Sequence, residues 1–110
     1  MSEPTQDLSK TAQDLVTLIA TQPGAVVSRV LVNKPGGTVT LFAFDAGEGL
    51  SEHAAPYDAL VHVLEGKAAV RIGSDEHEVK TGNILLLPAN IPHALQAHTA
   101  FKMLLTMIRA

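Results

Sequence analysis

The 110-residue sequence predicts an all-β domain, a sandwich or barrel of short strands, with a short α-helix at its N-terminus. Two observations carry this. From Gly24 onward, short β-type runs follow one another, separated by Lys34-Pro35-Gly36-Gly37, Glu65-Gly66, Gly73-Ser74-Asp75 and Pro88-Ala89-Asn90. Before Gly24 the apolar residues recur at threes and fours instead. The length and an apolar content of 46% suit one domain with one core.

Leu8, Ala12, Leu15, Val16 and Ile19 form the N-terminal stripe, with Asp7 and Ser9 available as caps and Gln22-Pro23-Gly24 as the stop. A helix this short gains little stability alone, so residues 1–24 are expected to pack on the barrel or on a partner, with 25–110 as the barrel itself. Eight strand candidates follow: Ala25–Val32, Thr38–Asp45, Ala59–Glu65, Lys67–Ile72, His77–Thr81, Ile84–Leu87, His93–His98 and Phe101–Ile108. Lys67–Ile72 alternates, with Ala68, Val70 and Ile72 on one side and Lys67 and Arg71 on the other. Leu41 to Phe44 and Ile84 to Leu87 are apolar on both sides. Such strands are covered twice, by the opposite sheet inside and by a helix or a second subunit outside. A homodimer is therefore expected.

Several classes are excluded or disfavoured. With no cysteine there are no disulfides, thiolate metal sites or cysteine nucleophiles. The net charge of −3 and scattered Lys and Arg leave no basic stripe for nucleic acid. No apolar run approaches the ~18 residues that span a bilayer, and the N-terminus lacks a signal-peptide pattern, so a cytoplasmic protein without membrane partners is expected.

Two stretches carry a family pattern. Gly47–Gly66, GEGLSEHAAPYDALVHVLEG, has the spacing Gly, five residues, His53, one residue, Ala55, three residues, Ala59, six residues, Gly66. From Gly82, GNILLLPANIPHALQA places Pro88, Asn90, His93 and Ala97 at a second fixed spacing. These stretches resemble the two motifs of the cupins, and the chain is similar to small single-domain bacterial members of the RmlC-like type. The resemblance implies a double-stranded β-helix, a jelly-roll-like barrel, and also a homodimer. It further implies one divalent metal held by two His and a Glu of the first motif and the His of the second. Here Ala55 and Ala59 stand where the second His and the Glu belong, and Asn90 stands for a Gly. Alanine has no lone pair to donate. Asn is the non-Gly residue that best tolerates the left-handed turn.

His53 and His93 are thus the candidate metal ligands, placed at one barrel mouth by two independent motifs. His62 is the candidate third ligand: strand alternation from Ala59 sends it outward, and a bulge between them would turn it in. Asp58 would complete a two-His, one-carboxylate triad, but at one residue from the family's Glu position it reads better as a loop residue bonding nearby backbone. His77 and His98 read as solvated, and Met103, Leu105 and Met107 as core. The expected cofactor is a divalent transition metal such as Fe, Ni, Mn or Zn, and the expected ligand a small polar or anionic metabolite. Two functions fit: a metal-dependent oxygenase or isomerase, or a non-catalytic small-ligand binder or sensor without metal.

Overall fold

The computed structural model of the protein describes residues 8–109. Among these residues, nine antiparallel strands make up two sheets. In chain order they are β1 (Val26–Lys34), β2 (Gly37–Phe44), β3 (Gly49–His53), β4 (Asp58–Glu65), β5 (Lys67–Ile72), β6 (Asp75–Lys80), β7 (Ile84–Leu87), β8 (His93–Gln96) and β9 (Phe101–Ile108). One sheet runs β1-β2-β9-β4-β7 and the other β3-β8-β5-β6. Chain neighbours repeatedly lie in opposite sheets, the jelly-roll arrangement that the motifs imply.

The core lies between the sheets and follows the alternation in the sequence. Ala59, Val61 and Val63 of β4 and Ala68 and Val70 of β5 point inward and are buried. So do Met103 and Phe101 of β9, with the Phe101 ring stacked on Phe44 at 4.4 Å between centroids. The turns need their special residues. Gly66 has φ +79, and a Cβ there would meet the Ala100 carbonyl oxygen at 2.5 Å.

β2 is covered on both faces, as its sequence requires. Phe42 and Phe44 join the core, while Leu41 and Ala43 pack outside the sheet against Leu15, Leu18 and Ile19. That outer cover is not the α-helix expected. Among the described residues the N-terminal segment is helical only over Leu15–Leu18, as a single 3-10 turn, and Ile19 is already extended at φ −146, ψ 148. A spacing of three, Leu15 to Leu18, suits a 3-10 turn as well as an α-helix. The sheet also takes the carbonyls that a longer helix would use. Lys102 of β9 donates Nζ–H to Val16 O at 2.8 Å, and Arg29 of β1 donates Nη1–H to Leu18 O at 2.9 Å. With its carbonyls satisfied by strand cations, the segment has no need to continue as a helix.

β3 was not among the expected strands. Gly49-Leu50-Ser51-Glu52-His53 offers one large apolar residue in five, too few for a visible period of two. It is nevertheless the strand that carries His53.

Candidate functional site

β3 lies at the edge of the four-stranded sheet beside β8, and the register of that pair builds the site. Leu50 faces Leu95, and His53 faces His93. Three residues of β3 therefore match two of β8, and the extra residue is a β-bulge between Leu50 and His53. In a regular strand, residues three apart point to opposite faces. The bulge cancels that parity, so His53 joins Leu50, Leu95 and His93 on the inner face. The residue it displaces is also fixed: Glu52 accepts a hydrogen bond from Arg71 Nη2 at 2.7 Å, on the sheet's outer side. Gly49 lets the two strands approach, since a Cβ there would lie 2.5 Å from the Leu95 carbonyl oxygen.

The two imidazoles meet edge to face, with centroids 4.4 Å apart and an interplanar angle of 67°. His93 is buried at 7% exposure, whereas His53 is exposed. Each ring is oriented by a carbonyl two residues back. His53 Nδ1 lies 2.9 Å from Ser51 O, and His93 Nδ1 lies 3.3 Å from Ile91 O. A carbonyl only accepts, so both Nδ1 atoms carry the proton and both Nε2 atoms present a lone pair. Among the described residues neither Nε2 has a hydrogen-bond partner. No buried side-chain polar atom there is left unpaired, so the His93 Nε2 keeps contact with solvent although the residue is buried. Burial pushes the His93 imidazole below its ordinary 6.5, and repulsion from His53 adds to this, while the Ile91 carbonyl opposes it. The neutral, ligating form is thereby favoured at neutral pH.

The loop that delivers His93 is fastened from two sides. Asp58 Oδ1 accepts the Ala89 amide at 2.8 Å, and Asn90 donates its amide to Ala55 O at 2.7 Å. Asp58 is thus a loop-fixing residue and not a ligand. Asn90 has φ +66, the left-handed conformation expected where the family motif has Gly.

His62 does not join the pair. β4 pairs with β7 without interruption from Ala59 to His62, so no bulge turns it inward. It lies on the outer face of the five-stranded sheet, opposite Ile84 and Leu104. Ala59 occupies the inward position and is packed in the core. His77 and His98 are exposed.

Does this donor set suit a divalent metal? Two imidazoles bound about 90° apart to one ion, with metal–nitrogen distances of about 2.1 Å, have ring centres about 4.5 Å apart. The observed separation of 4.4 Å between ring centres is that of such a pair. Among the described residues no group of three or more His, Asp or Glu is placed to hold a metal. The residues therefore fit a two-donor site, half of the set that the motifs imply. Sequence reading named both histidines that the structure brings together but missed the bulge and the Glu52–Arg71 pair that holds its displaced residue outside. The one hint was the failure of Gly49–His53 to alternate.

Comparison with known proteins supports the architecture. Residues 40–109 match the family described as "Cupin domain". A conserved protein of unknown function from Streptococcus pyogenes is 34% identical, with a TM-score of 0.88 over 92% of this chain and 89% of that one. A cupin 2 conserved barrel domain protein from Leptotrichia buccalis is 41% identical, with a TM-score of 0.83 over 86% of this chain and 46% of that one. An uncharacterized protein from Streptomyces coelicolor is 32% identical over 56 residues, 51% of this chain and 53% of its own. The match to this curated relative thus spans about half its length.

Proposed function

The chain belongs to the cupin family, and from that premise we propose that it binds a small anionic metabolite at the mouth of its barrel, through a divalent transition metal held by His53 and His93. The observation that carries this is the pair itself: two imidazoles 4.4 Å apart, each with Nδ1 tied to a carbonyl and Nε2 free. Neutral imidazoles leave the charge of a dication uncompensated, and two donors leave several coordination positions open. A small carboxylate or enolate answers both needs. When bound, the ion would supply Lewis-acid polarisation or, as iron, a site for oxygen chemistry.

The chain's own contribution is binding and orientation. His53 and His93 hold the site, the Ser51 and Ile91 carbonyls fix their tautomers, and the Asp58–Ala89 and Asn90–Ala55 bonds fix the loop. Glu52 points to the outer side of its sheet, away from the histidine pair, and Asp58 is engaged in holding the loop through the Ala89 amide. That favours reactions needing no protein base, an oxygenase type over an isomerase type. The absence of a third donor among the described residues favours a second reading, a metal-free binder in which the two imidazoles contact the metabolite directly.

Metal titration of the untagged protein separates the two. Under the proposal, Zn, Ni, Mn or anaerobic Fe(II) binds at one ion per chain, is lost in His53→Ala and in His93→Ala, and survives in His62→Ala. Substoichiometric metal that no substitution changes would leave only the metal-free reading.

A further inference from the structure

We infer that the anion held at the histidine pair carries an apolar body, which lies between the two sheets at the histidine end of the barrel. This rests on the reading of His53 and His93 as the anion's anchor, and it names the class of ligand. The ligand is a hydrophobic carboxylate, in preference to a sugar or another polyol.

The register sets the rings and an apolar wall at the same end. On the four-stranded sheet, Ile72 lies beside His93, and Leu50 lies beside Leu95. On the five-stranded sheet, Thr38, Met107, Ala59 and Leu87 form one inward-facing row, and Val30, Thr40 and Leu105 belong to the next. The loop that leaves Leu87 delivers His93, so this row and the rings share an end.

Solvent reaches the space between the sheets only from that side. At the other end the inward-facing Phe44, Phe101, Met103, Val63 and Ala68 are each at most 1% exposed. At the histidine end Leu50, Ile72, Leu105 and Met107 also face inward, yet they are half-buried, and Val30 is 49% exposed. Packed sheets lie about 10 Å apart, so side chains that stay wet between them border a recess wide enough for one ring or a short chain. Aliphatic surface left wet in a barrel mouth is what an apolar ligand removes from water.

The wall offers little to a polar ligand. Its polar members are the uncharged Thr38 and Thr40, with Ser28 and Asn33 of β1 at the margin. Among the described residues the charged groups of this end stand at its rim or face away. Asp75 is exposed on β6, two strands from His93, and Arg109 donates Nη1–H to Lys34 O at 3.0 Å. Asp58 is turned to the Ala89 amide and Glu52 to Arg71. A polyol would set hydroxyls against Leu105, Met107 and Ile72 without partners, which costs their hydration. A carboxylate with a hydrocarbon body meets the ion with one end and the wall with the other.

Calorimetric titration of the Zn-loaded full chain with malonate and with benzylmalonate tests this, because the chelating head is the same and only the body differs. Benzylmalonate is expected to bind roughly tenfold or more tightly, the effect of about 55 Å² of apolar surface leaving water. Val30→Asn and Met107→Gln should each reduce that ratio, whereas Val32→Asn, on the outer side of β1 opposite Val39, should not. Far-UV circular dichroism checks the fold of each variant. Methyl NMR of the wild type needs no variant: Leu105 and Met107 should shift with benzylmalonate more than with malonate, and the buried Met103 with neither. Equal affinities for the two ligands overturn the inference and leave the histidine anchor standing. A preference that neither lining variant alters, or that moves no Leu105 or Met107 methyl, overturns it as well. Binding of neither ligand overturns the anchor, and the inference falls with it.

Discussion

Acid should destabilise this protein through His93, and the size of the effect follows from its surroundings. The imidazole is 7% exposed, and its pKa is lowered first by burial and then by the neighbouring His53. Folded His93 therefore takes up its proton at lower pH than it does in the unfolded chain, so below 6.5 the unfolded state binds more protons. By linkage, stability rises with pH in that range. The contribution is fully present above 6.5, falls as pH drops below 6.5 toward the lowered pKa, and is flat below it. Its limiting slope is about 1.4 kcal/mol per pH unit. Urea denaturation at pH 7.5, 6.5 and 5.5, compared between wild type and His93→Gln, isolates it from other titrating groups. Wild type should lose more stability than the variant between pH 6.5 and 5.5. His53→Ala should reduce the difference by removing the repulsive neighbour. Equal pH dependence in wild type and His93→Gln would refute the argument, because the ring would then be as easily protonated folded as unfolded.

Four further outcomes are expected. Saturating Zn should stabilise the protein at pH 7.5, by about 2.7 kcal/mol at one hundred times its dissociation constant, and the gain seen in thermal melts should shrink on acidification as protons compete with the ion for its ligands. Glu52→Ala should weaken metal binding in calorimetry by less than tenfold while changing the melting temperature little, since its ion pair with Arg71 is exposed and acts on the bulge. Lys102→Met should cost about 2 kcal/mol in urea and open the N-terminal segment to proteolysis, because a side chain only 15% exposed loses its bond to Val16 O. Ala59→Glu should cost the metal-free protein roughly 3–5 kcal/mol, by placing an unpaired carboxylate in the core, and added metal should restore part of that loss if the family's ligand position lies within reach of the histidine pair.

The fold was legible because its signals are repeated. Turn residues at Gly36-Gly37, Gly66, Gly73 and Gly82 mark the strand ends, and the alternation in β4 and β5 states which face is inside. The histidine pair was legible only through motif spacing, since nothing local to His53 or His93 says that they meet. What escaped reading was decided by contacts distant in sequence. The N-terminal stripe has helical spacing, yet Lys102 and Arg29, from 86 and 11 residues away, take the carbonyls that helical continuation requires. β3 was missed because a bulged edge strand need not alternate, and its one strong pairing partner lies forty positions later. The two-sided apolar character of β2 and β7 was read as a demand for outer cover. The structure supplies that cover to β2 and not to β7.

Barrel and site are separable in energy, and this explains how a complete fold can carry half of a ligand set. A carboxylate or imidazole aimed into the core is a cost that only a bound metal or a good hydrogen bond offsets. Replacing it with alanine removes the cost, and at Ala59 adds an apolar side chain to the same cluster as Val61 and Met103. The barrel is then stable without metal, whereas a fully built site would tie folding to the ion. What remains, His53 and His93, persists without metal because each ring is already satisfied through Nδ1 by its own strand's backbone. Under the proposed function such a site would bind its ion loosely and would depend on the metabolite to complete the coordination shell. Metal and metabolite should therefore bind with positive cooperativity, each tightening the other by the same factor. Calorimetric titration of metal with and without a chelating dicarboxylate measures that factor directly, and equal affinities in the two titrations would show that the metabolite does not complete the shell.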